Sequence, residues 1–186
     1  MADPTEPDHL IELDPPVASV AWSPDFVAQS LEVLFVCLRP DGPHVLRPIH
    51  AESLRLGWPP NAQPGQIVLD AASRYALEPL LVHSTSWRHD GSHVVITYVA
   101  AVAPPDRPSP YLADETMGRT DLARGDAFGP PPAIEVNQVL EHALRHLAWL
   151  VKDDDVVRET LAEWAPYLER YVPEPFRAFD PPAPPG

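Results

Sequence analysis

His142 and His146 stand four residues apart, a spacing that puts two imidazoles on one helix face, as zinc ligation requires. A third ligand has no obvious address in the sequence, and the neighbouring Glu141 and Arg145 read as a solvated helix flank. Asp153-Asp154-Asp155 lacks the alternating ligands and the glycine of a calcium-binding EF-hand loop and is expected to cap a helix. His83, His89 and His93 surround one hairpin and read as ordinary surface histidines. Ser84 and Ser86 have no nucleophile-elbow context, which gives no support to a serine hydrolase.

Residues 57–82, GWPPNAQPGQIVLDAASRYALEPLLV, carry a different pattern. Their spacing resembles the Nudix box of hydrolases that act on nucleoside-diphosphate-linked compounds, G-x5-E-x7-R-E-U-x-E-E-x-G-U, where U is aliphatic. On that frame the first glycine falls on Pro60, the first glutamate on Gln66, and the arginine on Arg74. The next glutamate falls on Tyr75, the metal-side pair on Glu78 and Pro79, and the later glycine on Leu81. The resemblance spans residues 17–103 and implies an α/β fold, a Nudix-like α/β/α sandwich around a mixed sheet with a C-terminal helical extension.

The frame is kept and most of its charge is lost. A Nudix hydrolase splits a diphosphate by water attack aided by divalent cations, which need several oxygen ligands on one helix face. Of those ligands only Glu78 remains; Gln66 offers a neutral carbonyl, and Pro79 has no side-chain ligand. Asp70, eight residues before Glu78, would add an oxygen if both shared a helix face. The resemblance therefore implies no catalytic residues and no cofactor, or, in a divergent active hydrolase, Glu78 and Asp70 with Glu115 from a later loop. Mg2+ or Mn2+ would then be held at Glu78. It also brings Arg39, Arg47, Trp58 and Arg74 towards one cleft, where guanidinium groups and an aromatic face would hold phosphates and a base.

Composition narrows the partners. A formal net charge of −14 over 186 residues repels phosphate backbones, so nucleic-acid binding through charge is not expected. The longest apolar run, Val94–Ala103, is about half the ~20 residues of a membrane helix. Cys37 is the only cysteine and sits in an apolar run, as a buried small residue would. No signal peptide is recognisable at the N-terminus, and the expected location is the cytoplasm.

The elements that must position these groups follow from pattern. A flexible segment over 1–16 leads into a core over 17–103, beginning with a short strand, VASVAW. LEVLFVCL (31–38) reads as a central strand buried on both faces, paired with 44–49 through Pro40-Asp41-Gly42. The spacing predicts a helix over 67–78 that ends at Pro79. A hairpin closed by Asp90-Gly91 should follow, with Trp87 opposite Val94, Thr85 opposite Ile96 and His83 opposite Tyr98 on its core face. Residues 104–132 read as a Pro-rich loop, 133–175 as two amphipathic helices with a break near Pro166, and 176–186 as a disordered tail. The chain thus reads as a hydrolysis-incompetent Nudix-like module for a nucleotide-type small molecule or a protein partner. The alternatives are a divergent Nudix hydrolase and an assembly or regulatory protein working through its C-terminal helices. Oligomeric state is open.

Overall fold

A computed structural model describes residues 28–90, 93–122 and 133–171. The expected strand VASVAW, the turn residue Gly91 and the terminal tails lie outside the described residues. Among the described residues six strands form one mixed sheet in the order β4-β5-β1-β2-β6, with β3 also pairing β1. They are β1 (Ala28–Arg39), β2 (Gly42–Pro48), β3 (Leu54–Gly57), β4 (Pro79–Asp90), β5 (His93–Val102) and β6 (Leu112–Thr116). β1 runs antiparallel to β2 and β3 but parallel to β5. The apolar run in β1 is nearly continuous because both faces are covered. Leu31, Val33, Phe35 and Cys37 pack towards helix α1 (Pro64–Arg74), and Leu34 and Val36 towards helix α2 (Val136–Asp153).

Helix α1 starts three residues earlier and ends four residues earlier than the predicted 67–78. Tyr75 caps it, Ala76 takes a left-handed φ of 53°, and Leu77 N–H donates to Ala72 O at 2.9 Å while Ala76 N–H donates to Ser73 O at 3.0 Å. This is a Schellman ending, made here with alanine where glycine is usual. The helix therefore stops four residues before Glu78, ahead of the proline expected to end it. Backbone hydrogen bonds that turn Leu77 back onto the core override the helical preference of Ala76 and Leu77.

The β4–β5 hairpin differs from expectation in register. Asp90 pairs with His93 and Trp87 with Ile96, so the connection is residues 91–92 rather than Asp90-Gly91. An irregularity between Ser84 and Ser86 then makes Thr85 an extra residue in β4. Above it Arg88 and Ser86 share a face with Val95 and Thr97; below it His83 pairs with Val99 on that same face. A strict alternation places His83 with Trp87, and the bulge reverses this. The expected core face is also reversed near the turn: Val95 and Thr97 are buried, whereas Trp87 is 67% exposed.

Residues 104–132 are not wholly irregular. β6 lies within them and pairs antiparallel with β2. Its sequence, LADET, buries only Leu112 and has no two-residue apolar period to reveal it. A short acidic strand suits a sheet edge, where like charges deter further pairing.

Helix α2 buries Val139, Leu140, Ala143, Leu144, Leu147 and Val151 on the sheet, as its stripe predicts. Helix α3 (Asp155–Thr160) is capped by Asp154, whose Oδ1 accepts from Val156 and Val157 N–H at 2.8 and 3.1 Å. The second predicted helix is broken earlier than expected, after Thr160. A 3-10 turn over Ala162–Trp164 follows, and Pro166 sits in the first turn of α4 (Ala165–Leu168), where its missing N–H costs nothing. Val157, Leu161, Trp164, Leu168 and Tyr171 join the α2 core cluster. The described C-terminal helices are thus part of the second layer over the sheet rather than an appendage to it.

Candidate functional site

The segment matched to the Nudix frame surrounds α1. Gln66 and Asp70 lie one turn apart on it, and Gln66 Nε2 donates to Asp70 Oδ1 at 2.8 Å. Glu78 is exposed in the link between α1 and β4, off the helix, with its backbone carbonyl accepting from Ala103 N–H at 2.8 Å. Asp70 and Glu78 therefore do not share a helix face. Arg74 is the exposed last residue of α1, and its partner on the family frame is replaced by Tyr75, which is buried edge-on against Phe35. Among the described residues no group of three or more His, Cys, Asp or Glu is placed to hold a metal ion.

The expected ligand-binding residues are dispersed. Arg39 continues the α1-facing side of β1 and is bound to Asp114 at 2.8 Å and to Pro105 O at 3.2 Å. Arg47 follows Val45 on the α2-facing side, where its guanidinium donates to Asn137. Its Nε lies 3.5 Å from Glu115 Oε2, long for a hydrogen bond. Glu115 is thus on β6 and on the α2 side of the sheet, apart from α1. Trp58 packs against the α1 cluster, and its indole N–H donates to Ala62 O at 2.9 Å. Each of Arg39, Arg47 and Trp58 already has an intramolecular partner, and the two arginines point to opposite faces.

Three polar clusters are built more firmly than that set. The first is Glu32, fully buried in β1, held by both terminal nitrogens of Arg88 and by Ser53 Oγ, with Arg55 Nε at 3.3 Å. Burial pushes its carboxyl pKa up, but the hydrogen bond and charge of Arg88, then Arg55 and Ser53, outweigh that and leave it lowered. One acidic residue inside LEVLFVCL is the sequence signal for such a buried pair.

The second cluster is Glu141, 2% exposed and not the solvated flank its neighbours suggest. Arg119 reaches it through Nε and Nη2 at 3.1 Å each, and Arg145 Nε at 2.9 Å. Arg119 also lies 4.6 Å from the centre of the Tyr171 ring.

The third is the seam between the sheet-edge strand β4 and α2. His83 Nε2 lies 3.0 Å from His146 Nε2, and the Trp149 ring meets His146 at 5.5 Å between centroids. Burial lowers the pKa of both histidines, and His83 and His142 lower that of His146 further. Sequence spacing flagged His142 and His146 and read His83, with His89 and His93, as a surface histidine; the bulge at Thr85 instead turns His83 towards α2, where it is half-buried against His146.

No family model matches the chain, and no curated protein matches it. No helix among the described residues is long and apolar enough to cross a membrane.

Proposed function

We propose that this chain is a Nudix-like domain that does not cleave diphosphates and serves as a binding module, with a protein as the better-supported partner than a nucleotide. The observation that carries it is the early end of α1. With Ala76 left-handed, the one carboxylate kept from the metal-binding frame, Glu78, leaves the helix, and Asp70 is engaged by Gln66. Hard divalent cations need several preplaced oxygens. The element order agrees with the resemblance: α1 lies between β3 and β4 on one face of a mixed sheet, and α2 lies on the other.

A protein partner is favoured over a nucleotide because Arg39, Arg47 and Trp58 are dispersed and internally bonded, while large apolar side chains stand exposed. Trp149 on α2 is 45% exposed, and Trp87, on the opposite face of the sheet from α2, is 67% exposed on β4. Exposed tryptophans are frequent anchors of protein interfaces.

The test incubates the full chain with nucleoside-diphosphate sugars, dinucleotide polyphosphates and oxidised nucleoside triphosphates, with Mg2+ or Mn2+. No turnover is expected. Metal-dependent cleavage that disappears in Glu78→Gln overturns the proposal in favour of a divergent hydrolase.

A further inference from the structure

The strongest unassigned constellation is the imidazole pair at the β4–α2 seam. Two ring nitrogens from elements far apart in sequence face each other at 3.0 Å, with ring centroids 5.0 Å apart. Centroid and nitrogen separations differ by about the sum of the two ring radii, so the rings meet nearly head to head at their Nε2 edges. Only one proton fits between two such nitrogens. Two imidazoles on a tetrahedral zinc ion stand ~3.4 Å apart at nitrogen, given Zn–N bonds of about 2.0–2.1 Å. To accept such an ion the pair must open by a few tenths of an ångström and both rings must tilt, so that their Nε2 lone pairs converge on a point beside the nitrogen–nitrogen line instead of facing each other.

We propose that His83 and His146 form a binding site for a borderline divalent transition-metal ion of the zinc type, with His142, one helical turn before His146, turning in as third ligand. The seam suits the chemistry. His83 and His146 are half-buried, so an ion held between them is partly shielded from water and replaces the single proton that the two nitrogens share. Trp149 packs against the His146 ring and limits its rotation. His142 is exposed on the same helix, at the four-residue spacing that lets two imidazoles ligate one ion. Imidazole nitrogens select zinc, copper or nickel over magnesium and calcium, which prefer oxygen. The site is independent of the segment around α1, and water would complete the ion's shell.

The experiment titrates Zn2+ into the untagged full chain against a chromogenic chelator near neutral pH. One equivalent should bind, and thermal unfolding should shift upwards with added zinc. His83→Gln and His146→Gln should each weaken binding by more than the ~10–100-fold that loss of an outer-shell partner costs. His142→Gln should weaken it about tenfold or more on the same scale, and His44→Gln should leave it unchanged. If a seam variant fails to fold, imidazole nitrogen NMR of the unaltered chain provides the same reading: zinc must shift the His83 and His146 signals. Absence of zinc binding, binding unchanged in both seam variants, or imidazole shifts confined to other histidines overturns the proposal.

Discussion

Arg88 on β4 reaches across the intervening strand β5 to clasp Glu32 on β1, Nη1 2.6 Å from Oε2 and Nη2 2.8 Å from Oε1. The pair is unequal. Glu32 is fully buried, whereas the Arg88 side chain keeps some contact with solvent. Removing the arginine leaves the buried carboxylate to Arg55 at 3.3 Å and to the Ser53 and Thr97 hydroxyls, so Arg88→Ala should cost about 3 kcal/mol in urea unfolding, the lower end for a broken buried pair. Glu32→Leu combined with Arg88→Met should recover most of that loss, because apolar replacements of a buried ion pair are often neutral. A double variant no better than Arg88→Ala would show that the pair stabilises by more than mutual neutralisation.

The same carboxylate sets an acid limit. Its folded pKa lies below the ordinary glutamate value of 4.5, so its contribution is complete above about pH 4.5 and is lost as pH falls through the folded value. Asp114 adds to this in the same direction: burial raises its pKa, but Arg39 and His44 outweigh burial and lower it. Thermal unfolding should show a stability gap between the wild-type chain and Glu32→Gln that is constant near neutrality and narrows below about pH 4.5. A gap that widens on acidification would contradict this sign.

Ala76 holds a conformation that suits a residue without Cβ. Ala76→Gly should stabilise the chain by about 0.5–1 kcal/mol in denaturant unfolding, the relief of left-handed strain exceeding glycine's added entropy in the unfolded state. Destabilisation instead would mean that α1 extends through Ala76 in solution and carries Glu78 on its face.

Two tryptophans should separate cleanly. Trp164 is buried in the α2 cluster, so Trp164→Ala should cost about 3–5 kcal/mol. Trp87 stands mostly in solvent, touching His89 edge-on, and Trp87→Ser should change stability by less than about 1 kcal/mol. A large loss in Trp87→Ser would reveal a packing partner in solution.

By itself the sequence determined what is local or periodic. The nearly continuous apolarity of β1 required two covered faces, the stripe of α2 fixed its buried side, and the run Asp153-Asp154-Asp155 was legible as a cap because capping involves neighbours two and three residues away, though only the structure picks Asp154 from it. Only tertiary structure decided the rest. The early end of α1 depends on Leu77 turning into a core that local propensity does not describe. β6 exists because β2 offers it a partner, and the bulge at Thr85 reverses which face His83 occupies. The pairs Glu32–Arg88 and His83–His146 join residues 56 and 63 positions apart. Side-chain chemistry is written in the order of the chain, but proximity is set by strand register, and a one-residue slip moves a group to the opposite face.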